Sequence, residues 1–279
     1  MYYGEKVPGF PVHLHRGFET ITVVLEGFID HSDSLGATGR YGNGDVQWMT
    51  AGAGMQHAEM FPLVDPDKHN PLELFQIWLN LPRKKKFVKP HYTMLWAEQI
   101  PTCHEKDAQN RSIDITVIAG EIKGTKALKP APDSWANDPA NEVAIWLIKL
   151  AANARWTIPA ASSDINRTLY FYKGASIQVA GTKLSAYQSA TLSPEHQVLL
   201  ENGDQETYLL LLQGKPINEP VVQQGPFVMN TREEIQLAFD DYRKTGFGGW
   251  PWSRPDPVHA ADQGRFARYE DGQKQTPEK

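Results

Sequence analysis

The segments His13-Leu-His15 and His57-Ala-Glu59 lie near the two ends of the stretch Pro11–Pro62, and this stretch decides the predicted fold. Alternate residues of a β-strand project from the same face. Both histidines of the first segment therefore point to one side, as do the histidine and the glutamate of the second. Two such pairs on neighbouring strands can converge on one metal ion, which makes this stretch a candidate metal site.

The sequence between the two segments has the composition of short strands joined by tight turns. Glu19–Gly27 and Val46–Thr50 contain many β-branched and aromatic residues. Ser34–Gly39 and Gly42–Asp45 are rich in glycine and in polar residues that favour turns. This alternation indicates a small antiparallel β-barrel.

A second β-rich run follows a break between residues 124 and 139, where Lys129-Pro-Ala-Pro-Asp133 interrupts regular structure. We therefore predict an all-β protein, a pair of antiparallel β-barrels with a short C-terminal helix. The predicted ranges are 1–123 for a metal-binding barrel, 140–230 for a second barrel without metal ligands, and 231–279 for the helix and an irregular tail.

The carboxyl-terminal range begins with a helix signal. Thr231-Arg-Glu-Glu234 has the spacing of a capping box, and apolar residues then recur at helical intervals up to about Lys244. The glycine- and proline-rich sequence from Gly246 onward is predicted to be irregular. Trp250 and Trp252 are expected to fix this tail to the body of the protein.

The two β-rich runs also look like an internal repeat. When Leu25-Glu-Gly27 is aligned with Tyr172-Lys-Gly174, Ala160 and Ser162 fall opposite the two histidines of the first segment. His196 has no second histidine at His-x-His spacing. The second half is therefore predicted to keep the barrel and to lack the metal ligands.

The candidate ligands are three imidazoles and one carboxylate, with no thiolate. Such a set suits first-row metals, and a six-coordinate iron ion would keep two positions open for a substrate and dioxygen. Zinc, manganese, nickel and copper are also admissible. The candidate ligands are His13, His15, His57 and Glu59.

The alternative is that these imidazoles make ordinary hydrogen bonds within strands. Two pairs around one strand-rich segment favour metal binding, because Gly52-Ala-Gly54 allows a tight approach just before the second pair. Glu19 shares the parity of the histidines and is a further candidate, with a supporting role as the better explanation.

Three other polar groups are explained better as structure than as function. His31 and Asp33 share a strand face, and we predict a structural histidine. Cys103 and His104 are adjacent in sequence, which does not make a nucleophile and its base. Arg83-Lys-Lys-Lys86 follows Asn80-Leu-Pro82 and is predicted to be a solvated turn rather than a nucleic-acid patch.

Composition limits the classes of partner. The formal net charge of −5 gives no general attraction to nucleic acid or to an anionic membrane. The single cysteine, Cys103, excludes an intramolecular disulfide and fits a reducing compartment. No apolar run approaches the roughly 18 to 20 residues of a membrane helix. We predict a cytoplasmic protein, with a protein partner left open.

Several longer segments match motifs of a known family. They are His13-Leu-His-Arg-Gly-Phe-Glu-Thr20, Gly44-Asp-Val-Gln-Trp-Met-Thr-Ala-Gly52, His57-Ala-Glu-Met60 and Gly225-Pro-Phe-Val-Met-Asn-Thr-Arg-Glu-Glu-Ile235. They resemble the pirin family, and the resemblance extends over nearly the whole chain to about Lys244. It implies a bicupin with two β-barrels face to face and metal in the amino-terminal barrel alone.

The resemblance also implies a ligand set and two classes of function. Pirins carry iron on three histidines and a glutamate, which match His13, His15, His57 and Glu59. Some bacterial pirins are known as quercetin 2,3-dioxygenases, whereas pirins of higher organisms are described as nuclear, redox-sensitive transcription cofactors.

The chain departs from the family pattern in one respect. Pirins usually have several dozen residues before the His-x-His segment, and here there are twelve. We expect either a start within a longer gene or a barrel that closes differently. If strands are absent, an exposed sheet edge and a weakened metal site should follow.

The leading hypothesis is an Fe(II)-dependent dioxygenase that cleaves a quercetin-like flavonol with O2. The substrate would bind the metal through a deprotonated hydroxyl, with Glu59 as the catalytic group that takes the proton. Trp48 and Met49 are candidates for lining the pocket. The rival hypothesis is a non-enzymatic regulator in which the redox state of the metal alters a protein-binding surface.

Overall fold

The computed structural model describes residues 7–277 and consists mainly of antiparallel β-strands. The strands up to residue 130 are β1 (Gly9–His15), β2 (Phe18–Glu26), β3 (Phe28–Asp33), β4 (Thr38–Gly42), β5 (Val46–Thr50), β6 (Met55–Met60), β7 (Glu73–Asn80), β8 (His91–Leu95), β9 (Thr102–Lys106), β10 (Ser112–Ala119), β11 (Glu121–Ile122) and β12 (Thr125–Lys126).

The later strands are β13 (Ala144–Leu150), β14 (Arg155–Ile158), β15 (Asn166–Lys173), β16 (Ser176–Val179), β17 (Thr182–Ser185), β18 (Gln188–Thr191), β19 (Val198–Asn202), β20 (Thr207–Gly214), β21 (Val222–Gln224), β22 (Phe227–Met229), β23 (Phe266–Arg268) and β24 (Lys274–Gln275). The helix α1 spans Arg232–Thr245. Short 3₁₀ segments span Arg83–Lys85, Trp135–Asn137, Pro139–Asn141 and Gly246–Gly248.

The chain forms two compact units. The first contains the described residues up to Gln99, together with Ala131–Ser134 and the residues from Asn218 onward. The second contains Ile100–Pro130 and Trp135–Ile217. These units divide the chain differently from the predicted ranges 1–123, 140–230 and 231–279, because β9 and β10 form one sheet with β13.

In the first unit, a six-stranded sheet with the order β1-β6-β3-β4-β23-β24 faces a four-stranded sheet with the order β7-β2-β5-β8. Apolar side chains from both sheets form the core between them. This cluster includes Val24, Ile29, Tyr41, Tyr92 and Trp96. The two sheets therefore enclose a buried interior.

The second unit has the same plan. Its sheets have the orders β18-β15-β20-β13-β10-β9 and β14-β19-β16-β17. Its core again takes residues from both sheets, among them Ile115, Trp156, Phe171, Leu200 and Leu211.

Seven strands of one unit match seven of the other in order. The pairings β1-β6-β3-β4 and β7-β2-β5 recur as β14-β19-β16-β17 and β20-β15-β18. The predicted internal repeat is therefore confirmed, as is the all-β class of two antiparallel barrels with a short C-terminal helix. One difference is that β20 has β13 as a further neighbour, whereas β7 is an edge strand of its sheet within residues 7–277.

The predicted helix is present with its predicted cap. The Thr231 hydroxyl accepts a hydrogen bond from the Glu234 backbone N–H, and the Glu234 carboxylate accepts one from the Thr231 backbone N–H. The helix packs against Phe227 and Phe247. Within residues 7–277, no helix combines the length and apolarity that crossing a bilayer requires.

The prediction of an irregular tail was wrong in part. The hairpin β23–β24 extends the first unit's large sheet by pairing with β4. The guanidinium of Arg40 donates hydrogen bonds to tail carbonyl oxygens, including those of His259, Ala260 and Gln263. Trp252 does fix the tail, because its indole N–H donates to the carbonyl of Asp33 at 2.8 Å.

Candidate metal centre

The pairing of β1 with β6 brings three histidines together. His13 lies directly across from His57 in the strand register, and His15 lies across from Met55. The ring centroids of His13 and His57 are 4.2 Å apart, and those of His15 and His57 are 4.9 Å apart. One ring nitrogen from each histidine lies within 4.8 Å of those of the other two.

The buried ring nitrogens of this cluster lack hydrogen-bond partners. His15 and His57 are 4% and 0% exposed, and within residues 7–277 neither ring nitrogen of either residue has a partner at hydrogen-bonding distance and angle. His13 is partly exposed, and its Nδ1 donates to the Pro11 carbonyl, which leaves Nε2 as the ring nitrogen available to a metal ion. Buried polar atoms are nearly always paired. The three imidazoles therefore fit a bound cation.

Burial also keeps the imidazoles of His15 and His57 neutral. It lowers the pKa of His15 to about 3, and the nearby His13 lowers it further. Burial lowers the pKa of His57 well below its ordinary value, with His13 and His15 adding to the shift. Neutral imidazole is the form that coordinates a metal ion.

Glu59 lies on the same face of β6 as His57, beside the cluster. Its Oε2 is 3.9 Å from Nε2 of His57. Gln76 on β7 donates to Oε2 at 2.8 Å, and the Thr22 hydroxyl on β2 donates to Oε1 at 3.3 Å. The structure therefore places the carboxylate next to the histidines and orients it through two residues that the sequence analysis did not identify.

Glu19, the further candidate, is not at the histidine cluster. Its carboxylate accepts hydrogen bonds from the indole of Trp48 and the hydroxyls of Thr50 and Ser134. Burial raises the pKa of Glu19 to about 7 although these hydrogen bonds oppose the shift. Glu19 is a buried structural carboxylate on the other face of β2.

Strand alternation separates the two predicted pocket residues. Trp48 shares the face of Glu19 and points away from the histidines. Met49 is on the opposite face of β5 and packs against Met55, which shares the β6 face of His57. Of this pair, Met49 alone lies on the histidine side.

A further buried histidine, His31, lies next to the cluster and pairs with an aspartate. His31 and Asp33 are fully buried, with His31 Nε2 at 3.1 Å from Asp33 Oδ2. The His31 ring stacks on Tyr92 at 4.9 Å and lies 5.7 Å from the ring of His57. The predicted structural role fits this buried hydrogen bond, although Nδ1 of His31 has no hydrogen-bond partner among the described residues.

Exposed aromatic side chains flank the cluster. Trp78 is 41% exposed, with its ring 5.6 Å from that of His15 and 4.3 Å from that of Phe18. Phe10 is 52% exposed and its ring is 6.1 Å from that of His13. The sequence analysis missed both residues. The sequence could have identified Trp78, because it lies two residues after Gln76 and therefore on the same face of β7.

The remaining candidates do not form a second cluster of this kind in the part of the chain that the structure describes. His196 is largely exposed, and Ser162 donates to the carboxylate of Glu142. His104 is exposed and pairs with Asp114, whereas Cys103 is buried.

The prediction of a solvated turn at Arg83–Lys86 was wrong for its last residue. Lys86 is buried, and its ammonium donates to the carbonyls of Gly17 and Val228 and to the side chain of Asn80. Burial lowers the pKa of Lys86 to about 8.

Two protein-family models match parts of this chain. The family model for pirin matches residues 1–79, and the model for the pirin C-terminal cupin domain matches residues 145–248. Pirin of Rattus norvegicus is 37% identical over 252 residues, which is 89% of this chain and 81% of that protein. The chain belongs to the pirin family.

Other pirin relatives span the same range. A pirin-like protein of Caulobacter vibrioides is 36% identical, with 87% of this chain and 82% of that protein covered. The crystal structure of a quercetin 2,3-dioxygenase from Acinetobacter baumannii is similar with a TM-score of 0.77 and 32% identity, covering 88% of this pirin and 81% of that chain. The bicupin fold predicted from the sequence is thus confirmed.

Proposed function

We propose that this pirin is a metal-dependent dioxygenase that cleaves a flavonol-like aromatic substrate. The observation that carries the proposal is the set of unpartnered imidazole nitrogens of His15 and His57, gathered within 4.8 Å with His13. The carboxylate of Glu59 stands beside them. The ligand set we propose is His13, His15, His57 and Glu59.

The donor set favours a first-row divalent ion, and we propose Fe(II). When bound, such an ion supplies Lewis acidity toward a substrate oxygen and a binding position for O2. The alternatives of zinc, manganese, nickel and copper are distinguished by metal analysis.

The protein side chains have two roles in this proposal. Glu59 accepts the proton of the substrate hydroxyl, and the hydrogen bond from Gln76 holds its carboxylate in place. Trp78 and Phe10 offer apolar ring faces at the edge of the cluster, where they can contact a flat aromatic substrate. This arrangement would bring the substrate oxygen to the histidine side of the barrel.

The similarity to the Acinetobacter baumannii quercetin 2,3-dioxygenase supports this choice of reaction. That structure shares 32% identity with this chain over most of both lengths. Quercetin is therefore the first substrate to test.

The deciding experiment measures metal and turnover on one anaerobically purified sample. About one iron per chain, with oxygen uptake that depends on quercetin, is the expected result. Bound metal without uptake, together with metal-dependent capture of a protein partner, would favour the non-enzymatic regulator instead. Protein that binds no divalent ion under any loading condition would refute both.

A further inference from the structure

The second unit contains a cavity at one end of its barrel. Its volume is about 480 Å³. Apolar side chains form much of its wall, among them Leu128, Pro130, Val143, Trp146 and Pro159. This size falls within the usual range for small-molecule sites.

Arg167 brings a buried positive charge to this cavity. The residue is 2% exposed and shares the inner face of β15 with Leu169 and Phe171. Its guanidinium donates through Nε to Gln213 Oε1 and through Nη1 to the Pro159 carbonyl, each at 2.7 Å, and Nη2 also donates to Gln213. All three bonds go to neutral oxygens. No carboxylate lies within 4.0 Å of Arg167 among residues 7–277.

A guanidinium has five N–H groups and stays protonated in proteins. Within residues 7–277, three N–H groups of Arg167 are used, so two remain for a ligand. Glu142 is the acidic residue that interacts with Arg167 through space, and its carboxylate accepts hydrogen bonds from Ser162. The buried charge therefore lacks a hydrogen-bonded counter-ion.

Trp146 supplies a second unsatisfied donor. The residue is 3% exposed and lines the same cavity, and its indole N–H has no hydrogen-bond partner within the described chain. Trp146 and Ala144 lie on the β13 face that packs into the core, and Ala144 pairs directly with Gln213. The strand register thus places the indole near the end of the barrel that holds Arg167.

The five other charged residues around the cavity are two lysines and three carboxylates, so that together with Arg167 the set carries no net formal charge. Lys126, Lys129, Glu121, Asp138 and Glu142 line it. Asp138 is engaged by the backbone N–H of Ala140. Arg167 is the buried member of the charged set, so it dominates recognition inside the cavity.

We propose that this cavity binds a small organic carboxylate with an apolar body. The two free N–H groups of Arg167 match the two oxygens of a carboxylate, and the indole of Trp146 adds a third donor. The apolar wall accommodates the rest of the molecule. Ala160, which the internal repeat aligns with His13, also lines this cavity. The second barrel therefore keeps a binding cavity where the first has histidines, and replaces metal ligands with anion donors.

Calorimetric titration tests the proposal with three probes, benzoate, decanoate and 2-naphthoate, and with 2-naphthamide as the neutral counterpart. We expect saturable one-to-one binding of at least one carboxylate and at least about tenfold weaker binding of the amide. Arg167→Gln should weaken carboxylate binding at least about tenfold. Arg155→Gln, at an exposed arginine of the same unit, is the matched control and should bind as the unchanged protein does.

Two further variants exclude binding at the metal centre and provide a second test of the cavity. His57→Ala removes the candidate metal centre, so unchanged binding in this variant locates the ligand away from it. Trp146→Phe keeps the ring volume and removes the N–H, and it should weaken binding severalfold even if Arg167→Gln fails to fold. The NMR signal of the Trp146 indole ¹H–¹⁵N group is identified by its absence from the Trp146→Phe spectrum. In the unchanged protein this signal should shift when a carboxylate is added. Absence of binding by all three carboxylates, or equal binding of the amide, would overturn the proposal.

Discussion

His13 on β1 and His57 on β6 are direct cross-strand partners, with ring centroids 4.2 Å apart. Residues directly opposite each other on neighbouring strands project their side chains from the same face of the sheet. His15 lies beside them, and the ring nitrogens of His15 and His57 have no hydrogen-bond partner within the described residues. The register of a single strand pair therefore creates the candidate metal centre.

Removal of one central histidine should abolish metal binding. His57→Ala is expected to lower the metal content sharply, because it deletes the most deeply buried of the three clustered imidazoles. His196→Ala is the matched control, since His196 is exposed in the second unit. Elemental analysis of both variants after identical loading checks this prediction. Equal loss in the two would contradict the placement of the site.

Gln76 should affect turnover more than metal content. Gln76→Leu removes the hydrogen bond to Glu59 Oε2, so the carboxylate loses its orientation. We expect kcat with quercetin to fall about 10-fold to 100-fold, as is usual for residues that orient metal ligands or catalytic groups. Gln178→Leu, at an exposed strand position of the second unit, is the control. Full activity of Gln76→Leu with bound metal would refute this orienting role.

The buried pair Arg40–Asp30 should be a large stabilising element. Arg40 is 1% exposed, contacts Asp30 at 2.6 Å and donates to several tail carbonyls. Arg40→Ala would leave a buried carboxylate without its partner, at a cost of about 3 to 5 kcal/mol in the free energy of unfolding. Urea denaturation measures this loss.

An exposed ion pair provides the control for Arg40→Ala. Arg243 and Asp240 contact each other on the surface of α1 at 2.6 Å. Arg243→Ala should change the free energy of unfolding little, because solvent screens such pairs. A loss of similar size in both variants would show that burial of the Arg40–Asp30 pair is not the decisive factor.

Glu19 should make stability depend on pH. Its pKa is raised from 4.5 to about 7 by burial, so the folded protein holds a proton that the unfolded chain releases between these values. The unfolded state therefore binds fewer protons, and the free energy of unfolding falls as pH rises from about 4.5 to 7. The total effect is about 3 kcal/mol.

Glu19→Gln isolates this contribution, since glutamine stays neutral at every pH. The difference in free energy of unfolding between the unchanged protein and this variant should decrease through that window and be constant above it. Chemical denaturation at pH 4.5, 6 and 8 gives the three points needed. A difference that stays flat, or that grows with pH, would contradict a raised pKa.

Local sequence patterns predicted much of the fold. Alternation in strands is a property of the backbone, so the His-x-His and His-x-Glu segments identified one face each before any contact was known. The helix cap at Thr231 and Glu234 is equally local, and the structure has it as predicted. The internal repeat could be recognised because Leu25-Glu-Gly27 and Tyr172-Lys-Gly174 share the same pattern, in which a glycine follows the end of a strand.

The same alternation gave a wrong prediction where two strands had to be compared, because pairing with neighbouring strands decides which face of each strand points inward. Glu19 is at an odd-numbered position like the histidines, but the chain bends at Gly17 between His15 and Glu19, so the alternation of β1 does not continue into β2. The hydrogen bonds of Glu19 to Trp48 and Thr50 show that it faces the other side of its sheet.

The sequence by itself determined the β-rich class, the repeat, the helix and the identity of the candidate ligands, because each depends on neighbours a few residues apart. Only the tertiary structure decided that Gln76 and Thr22 orient Glu59, that the tail adds a hairpin through Arg40, and that Arg167 shares a cavity with Trp146. These contacts join residues that are distant in the chain. They follow from strand register and from the burial of charge, which no local pattern encodes.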